Sequence, residues 1–329
     1  MTPFGWSRIR RHKSLFPYLK SMTNFNSRNP SELPGHLKTC GGSELSPSVA
    51  AVRRGKSGAL SADFFPRLRR HYQERAARLF FRRDFTIQTQ SPLVSFTFDD
   101  FPRSALLTGG AILNRFGLSG TYYVSLGLLG TEAPTGQIAT ADDLRSAHEQ
   151  GHELGCHTFF HCDPWKTKPQ QYEDSIIKNR VALSKVIPGA AFRSFAYPIS
   201  SPRPLAKARV ARHFLCCRGG GQTINVSTAD LNRLSAYFLE KSRDEIQAVK
   251  DVIDQNRERR GWLIFATHDI SESPTPYGCT PAFFEEVVQY AVGSGARILP
   301  VASALQALRT SSPQSCLEQR AAGRSNNTL

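Results

Sequence analysis

The stretch Pro92-Leu93-Val94-Ser95-Phe96-Thr97-Phe98-Asp99-Asp100 is an apolar run that ends in two adjacent carboxylates. A second apolar stretch leads into His157-Thr158-Phe159-Phe160-His161. Short, nearly continuous apolar runs are typical of strands that are buried on both faces. Because carboxylate oxygens and imidazole nitrogens bind divalent metals, the two stretches together predict a metal site where two strands end.

The same pattern of short apolar runs and longer helical segments continues along the chain. Strands are predicted at residues 93–98, 121–124, 153–156, 192–197, 214–217, 262–267 and 297–301. Helices are predicted at residues 104–116, 141–150, 171–186, 205–213, 243–259 and 281–293. This alternation indicates an α/β fold, in which a parallel sheet is covered on both faces or closed into a barrel.

Four polar residues directly follow predicted strands: Asp99, Asp100, His157 and His268. In parallel α/β folds the functional side chains lie at the carboxyl ends of strands, so we expect these four to converge. An isolated Asp-Asp pair more often caps a helix or opens a turn. The order of the motifs on successive strands is what favours a shared site.

The residue types suit a catalytic metal. Two neighbouring carboxylates repel each other unless a cation lies between them, which leaves one as a ligand and the other beside the bound water as a base. Two histidines and one aspartate leave coordination positions open for water and substrate. If residues 157–161 form a helical turn, both imidazoles lie on one face.

Other histidines and cysteines near this motif are weaker candidates. His148 and His152 precede the strand predicted at residues 153–156, so that strand would carry them away from His157, and we expect them to be structural. Cys156 is adjacent to His157, so the two side chains point to opposite faces of the strand, and Cys156 is expected in the core. Cys162 offers a thiolate as an alternative ligand.

Positive charge is concentrated near the N-terminus. The 329 residues include 42 Lys and Arg and 27 Asp and Glu, a net charge of +15. Residues 1–90 carry 17 of the basic and 5 of the acidic residues, a net charge of +12, so the remaining chain is nearly neutral. Basicity therefore belongs to an extension, which makes nucleic acid an unexpected partner of the main domain.

Composition divides the chain into four parts. Residues 1–60 are rich in Ser, Gly, Pro and Asn and are predicted to be disordered. Residues 61–90 predict a basic amphipathic helix packed on the domain, with a phosphate- or membrane-surface arm as the alternative. A catalytic domain is predicted at 91–308 and a polar tail at 309–329.

The cysteine content and the hydropathy of the sequence indicate which cellular compartment is expected. The seven cysteines have no framework spacing, which favours a reducing environment: Cys40, Cys156, Cys162, Cys216, Cys217, Cys279 and Cys316. No run of about 18 apolar residues is present, and the first thirty residues lack the apolar core of a secretory signal. We expect a cytoplasmic protein without an integral membrane segment.

Residues 91–305 resemble the polysaccharide deacetylases with a NodB-like homology domain, carbohydrate esterase family 4. Thr97-Phe98-Asp99-Asp100 is similar to the first motif of that family, and the resemblance implies that Asp99 is the base and Asp100 a metal ligand. His157 and His161 match the second motif, which supplies the other two ligands. The fold implied is a distorted (β/α) barrel of about seven parallel strands.

Two further segments extend the resemblance. Phe195-Ala196-Tyr197-Pro198-Ile199 is similar to the third motif, which implies a groove lined by Tyr197 and Pro198 and an oxyanion amide at Ile199. His268 looks like the general acid of the last motif, which protonates the leaving amine.

Three features depart from the family pattern, one of which is Ser200 in place of the usual glycine of the third motif. Ala196 stands where the third motif often has an arginine that tunes the base, and Arg193 lies three residues too early to be equivalent. The aspartate-tryptophan motif that orients the acid histidine is not evident, although Asp269 follows His268.

The hypothesis is a metal-dependent hydrolase that removes N-acetyl groups from N-acetylglucosamine in an oligo- or polysaccharide, such as a chitooligosaccharide or peptidoglycan. Zinc is the expected metal, with cobalt, nickel and iron as alternatives. The alternatives in function are another C–N hydrolase on the same fold, a deformylase or ring amidase, or a non-catalytic protein that binds carbohydrate or nucleic acid. The oligomeric state is not predicted.

Overall fold

The computed structural model describes residues 64–199 and 201–310. The predicted disordered extension at 1–60 lies outside these residues, as does most of the predicted tail. Statements below about what is absent refer to the described residues alone.

Parallel strands make up the main sheet. The described strands are β1 (Asp84–Ile87), β2 (Leu93–Phe98), β3 (Thr121–Val124), β4 (Glu132–Ala133), β5 (Gly136–Gln137), β6 (Glu153–Cys156), β7 (Ser194–Ala196), β8 (Cys216–Arg218), β9 (Ser227–Asp230), β10 (Tyr237–Phe238), β11 (Trp262–Thr267) and β12 (Arg297–Ile298). Seven of them run parallel in the order β10-β11-β2-β3-β6-β7-β8, and β12 also pairs with β2. Two antiparallel pairs, β1 with β9 and β4 with β5, stand apart from this sheet.

The helices lie mostly between successive strands. They are α1 (Phe64–Leu79), α2 (Ala111–Arg115), α3 (Ala141–Glu149), α4 (Pro169–Val186), α5 (Pro204–Val210), α6 (Ile246–Arg259), α7 (Pro281–Gly293) and α8 (Val301–Thr310). Local sequence explains several starts, since proline occupies the first turn of α4, α5 and α7. Thr140 and Asp143 form a reciprocal capping box at the start of α3.

The sheet curls because one segment joins its two edges. The Leu231 carbonyl accepts a hydrogen bond from the Cys217 amide of β8 (2.7 Å), and the Leu234 amide donates to the Cys217 carbonyl (2.8 Å). The same segment continues into β10, which pairs with β11 at the other edge. The sheet is therefore a curled half-barrel, and the prediction of a distorted barrel of about seven parallel strands is confirmed.

Alternate residues of β2 face two different cores. Phe96 packs against Phe284 of α7 at 5.6 Å between ring centroids. On the other face Leu93 joins a separate apolar cluster with Trp262 and Ile264 of β11. Because both faces are buried, β2 carries no exposed residue at all, and its position at the centre of the sheet fixes where Asp99 and Asp100 emerge.

Several boundaries differ from the sequence prediction. β12 stops at Ile298 and α8 begins at Val301, so the strand predicted at 297–301 is too long. Pro300 explains the break, since its carbonyl accepts the first helical hydrogen bond of α8 from the Ala304 amide (2.8 Å). The segment predicted as one helix at 61–90 contains α1 and then β1, which pairs with β9, and neither strand was predicted.

Helix α1 is attached to the domain by a buried lysine. Lys207 of α5 is fully buried, and its ammonium donates to the carbonyls of Ala77 (2.7 Å) and Phe80 (2.8 Å) and to the Asp230 carboxylate. Burial lowers the pKa of Lys207, and Asp230 acts in the opposite direction. The ammonium thus caps the C-terminal end of α1, where a positive charge is favourable.

Two further features of the described residues are the character of their helices and the state of their cysteines. Among them, no helix combines the length and apolar character needed to cross a bilayer. Their five cysteines are all free thiols: Cys156, Cys162, Cys216, Cys217 and Cys279.

Candidate metal centre and groove

The two aspartates leave β2 in a sharp turn. Asp100 and Phe101 both have left-handed backbone conformations, with φ of 61° and 57°. Such values are uncommon outside glycine, and here the turn separates the contacts of the two carboxylates. Asp99 faces an arginine and Asp100 faces the histidines.

Asp100, His157 and His161 meet at one point. The Asp100 Oδ1 lies 3.1 Å from the His161 Nε2 and 3.5 Å from the His157 Nε2. All three candidate ligand atoms lie within 4.8 Å of one another. Residues that are 57 positions or more apart from Asp100 in the chain thus close around one position, as the strand-end rule predicted.

The histidine pair is not brought together by a helical turn, so that part of the expectation is wrong. Thr158 and His161 have left-handed backbones with φ of 61° and 53°. The Thr158 hydroxyl accepts a hydrogen bond from the Cys162 amide (2.8 Å), which closes the loop. Gly127 lets the loop approach, since a Cβ there would lie 2.5 Å from the Phe159 carbonyl oxygen.

The three side chains fit a divalent cation. The Asp100 Oδ1 is buried and has no hydrogen-bond partner, which is costly for a carboxylate unless a cation fills the position. The His157 Nδ1 lies 2.9 Å from the Ala196 carbonyl, so it carries the proton and leaves Nε2 free to coordinate. Burial lowers the pKa of His157 well below its usual value, and the neighbouring His161 lowers it further. The ring is therefore neutral.

Asp99 is paired with a residue that the sequence analysis missed. Arg218, the last residue of β8, donates from Nη2 to the Asp99 Oδ1, and both side chains are buried. The guanidinium also lies 4.8 Å from the centre of the Tyr123 ring. The arginine that Ala196 does not supply therefore comes from the neighbouring strand, while Arg193 is exposed.

A signal for Arg218 was present in the sequence. It directly follows the strand predicted at 214–217, so the rule that selected Asp99 and His268 would have selected it too.

His268 lies at the end of β11 and lines the same cavity as Asp99. Its Nδ1 is 3.1 Å from the Tyr277 carbonyl, which assigns the proton to Nδ1 and turns Nε2 away from that contact. Asp269 does not contact His268 in this way. Its carboxylate accepts from the Thr275 amide (2.8 Å) and hydroxyl, and thereby orders the loop that carries Tyr277.

Glu240 is a second residue missed from the sequence. It lines the cavity, its Oε2 is buried without a hydrogen-bond partner, and burial raises its pKa to about 7. His268 lowers that pKa and Asp99 raises it, so all three groups lie within electrostatic reach of one another.

Residues 86–214 match the family model described as polysaccharide deacetylase. The predicted aspartates, the paired histidines and the third segment all fall inside or at the edge of that match. This part of the chain is a NodB-like polysaccharide deacetylase domain. The resemblance stated from the motifs is thereby confirmed for these residues.

Solved structures are also similar to this polysaccharide deacetylase domain. A family 4 acetyl xylan esterase from Clostridium thermocellum, in complex with a cobalt ion, has 22% identity over 64% of this chain and 89% of its own, with a TM-score of 0.46. The chitin deacetylase of the fungus Colletotrichum lindemuthianum has 15% identity over 66% and 89%, with a TM-score of 0.48. A pseudoenzyme of the same esterase family from Bacillus anthracis has 11% identity over 66% of each chain, with a TM-score of 0.47. No curated protein matches.

The third segment of the deacetylase domain forms one wall of the groove. Tyr197 is buried, lines the cavity, and donates from its hydroxyl to the Asn232 carbonyl (3.1 Å). Pro198 is buried behind it. Ile199 lines the cavity, is 67% exposed, and has a φ of 65°, which is a strained value for a β-branched residue.

Backbone strain in the deacetylase domain is concentrated at this site. Of the nine non-glycine residues with positive φ among the described ones, six flank the metal position or the groove: Asp100, Phe101, Thr158, His161, Ile199 and Gln222. Residues in such conformations cost about 1–3 kcal/mol each and persist where the surrounding structure holds them. The strained backbone conformations are therefore concentrated around the candidate metal position and the groove.

The metal position and both candidate proton-transfer groups open into one cavity of about 800 Å³. Helix α1, outside the family match, adds Gln73, Glu74 and Arg78 to its wall. The volume of the cavity lies within the about 300–1,000 Å³ typical of ligand pockets.

Proposed function

We propose that the protein is a metal-dependent hydrolase that removes N-acetyl groups from N-acetylglucosamine units of an oligo- or polysaccharide. The observation that carries the proposal is one cavity that contains a carboxylate-and-two-histidine set, a separate arginine-paired carboxylate and a histidine. These are the parts that amide hydrolysis by an activated water requires.

The ligand set accounts for the electrophilic part of the reaction. Asp100, His157 and His161 would hold the cation, which when bound polarises the acetyl carbonyl and lowers the pKa of water. Three protein ligands leave room for both water and substrate. We propose zinc, with cobalt, nickel and iron as the alternatives.

Two further side chains move protons. Asp99, held by Arg218, is placed to accept a proton from the attacking water. His268, whose Nδ1 is bound to the Tyr277 carbonyl, presents Nε2 to donate a proton to the departing nitrogen. The Ile199 backbone amide is proposed to stabilise the oxyanion, since Ile199 lines the cavity.

Acetate release from chitooligosaccharides, with and without a chelator, tests the proposal. We expect chelation, Asp99→Asn and His157→Ala each to lower kcat by about 10²-fold or more, because each removes a group that the reaction needs. His148→Ala is the matched control, since His148 is exposed in the last turn of α3. Equal activity in Asp99→Asn and the wild type would reject the mechanism.

Metal content is the second measurement. His157→Ala should lose bound metal after dialysis, whereas Asp99→Asn should retain it, because Asp99 is paired with Arg218 and not with the histidines. A panel that includes formylated and cyclic amides separates N-acetyl sugars from the other C–N substrates. The cytoplasmic location stays a prediction.

A further inference from the structure

The groove contains a second charged region that the proposed reaction does not use. Arg233, in the segment between β9 and β10, and Arg78, near the end of α1, line the same cavity as the metal ligands. Neither residue was selected from the sequence.

Arg233 is buried without an adequate partner. Only 9% of it is exposed, and its Nε has no hydrogen-bond partner. Its Nη2 reaches the Ser201 hydroxyl at 3.4 Å, which is long for a hydrogen bond. A buried guanidinium with an unused donor is costly, and a ligand that accepts from it removes that cost.

Charges of both signs lie around Arg233. Burial lowers its pKa first and the neighbouring Arg78 does so next, while Glu74 and Asp230 act in the opposite direction. The Asp230 carboxylate also accepts from the Lys207 ammonium and from backbone amides. Two guanidiniums therefore face the groove together.

This region adjoins the reacting centre. A Cβ placed at Gly219 would lie 3.6 Å from the Arg233 Cγ and 3.8 Å from its Nε. Gly219 directly follows Arg218, whose guanidinium holds Asp99. Arg233 is thus next to the end of β8, where Arg218 pairs with the proposed base Asp99.

We propose that Arg233, Arg78 and the Ser201 hydroxyl bind an anionic group, a carboxylate or a phosphate, on a sugar next to the one that is deacetylated. The inference rests on the proposed function and narrows it to acidic glycans. Guanidinium groups bind both anions through paired, charge-assisted hydrogen bonds, so either group satisfies the unused donors. A hydroxyl of a neutral sugar can also accept a hydrogen bond, but it brings no negative charge, so the buried guanidinium of Arg233 favours acidic sugars through charge.

Deacetylation of three matched oligosaccharides tests the inference. All three contain N-acetylglucosamine: one is neutral tetra-N-acetylchitotetraose, one also contains glucuronate and one carries a phosphate. We expect kcat/KM for an acidic substrate to exceed that for the neutral one by about tenfold, mainly through KM. Arg233→Lys and Arg78→Gln should lower that preference about fivefold or more, and the carboxylate and phosphate arms show which anion is bound.

Two controls keep the result interpretable. Arg75→Gln alters an exposed arginine of α1 that does not line the cavity, and it should keep the preference of the wild type. Arg78 is exposed, so its variant tests the subsite even if Arg233→Lys folds poorly. Equal kcat/KM for acidic and neutral substrates, or variants with the wild-type preference, would overturn the inference.

Calorimetry of the glucuronate-containing oligosaccharide in the presence of chelator separates the two proposals. Binding that weakens in Arg78→Gln, without acetate release from any substrate after metal is restored, would reject the deacetylase function and keep the subsite. Acetate release at the same kcat/KM from acidic and neutral substrates would support the deacetylase function and reject the anion subsite.

Discussion

Arg218 is the residue that pairs with Asp99, the proposed base. Its guanidinium is buried against Asp99 and stacked near Tyr123, so neither partner is solvated in the other's absence. Arg218→Gln should lower kcat by about 10²-fold and destabilise the fold by about 3–5 kcal/mol, because the Asp99 carboxylate is left buried and unpaired. Acetate release and urea unfolding measure the two effects.

The double variant Arg218→Gln with Asp99→Asn gives a sharper test. It should recover much of the lost stability, since no charge remains unpaired, and none of the lost activity. Arg193→Gln, at an exposed position, is the matched control. Full activity of Arg218→Gln would show that the ion pair is only structural.

At the scale of the element, Lys207 determines whether α1 stays on the domain. Lys207→Met should destabilise the fold by about 3–5 kcal/mol, because Asp230 loses its partner and the carbonyls of Ala77 and Phe80 lose their donor. Amide hydrogen exchange in residues 64–79 should speed up more than in α7. Lys185→Met, at an exposed position in α4, serves as the control, and unchanged exchange in α1 would contradict this role.

The elements also show what sequence pattern can predict. Strands such as β2, β6 and β11 were predicted with their exact bounds, because their apolar runs are buried on both faces. The short strands β1, β9 and β10 were not, since two to four residues of mixed polarity give no periodic signal. Their pairing is set by contacts between distant segments, such as Asp84 with Asp230.

The candidate site also has features that the sequence pattern predicted and features that it did not. The proximity of Asp100, His157 and His161 followed from strand ends alone, and the structure brings these atoms together. The left-handed turns at Thr158 and Ile199 could not be predicted, because no glycine or asparagine marks them. Arg233 lies in an irregular segment and Glu240 in a four-residue 3₁₀ helix, and for both only the folded chain shows that the side chain lines the cavity.

For the whole molecule, His152 makes stability depend on pH. Its Nδ1 accepts from the Gly120 amide (3.1 Å), its Nε2 is buried without a partner, and burial lowers its pKa to about 4 from 6.5. Between these pH values the unfolded chain binds a proton that the folded chain does not, so stability falls as the pH falls from about 6.5 to 4. The full contribution is about 3 kcal/mol.

Urea unfolding of the wild type and His152→Gln at pH 7, 5.5 and 4 measures this contribution. The difference between the two proteins should favour the wild type most at pH 7 and shrink toward pH 4. A difference that stays constant over this interval would mean that the pKa of His152 is the same in the folded and unfolded states, which would contradict the prediction.

The boundary of the family match divides the cavity between two lengths of chain. The three candidate metal ligands precede residue 214, where the match ends, whereas Arg218, Arg233, Glu240 and His268 all follow it. Libraries confined to the later portion would therefore vary the partner of Asp99 and part of the cavity wall while the candidate ligands stay untouched. Asp99, Ile199 and Arg78 precede the same boundary, so a chimera joined between α5 and β8 would split the cavity wall between its two parents.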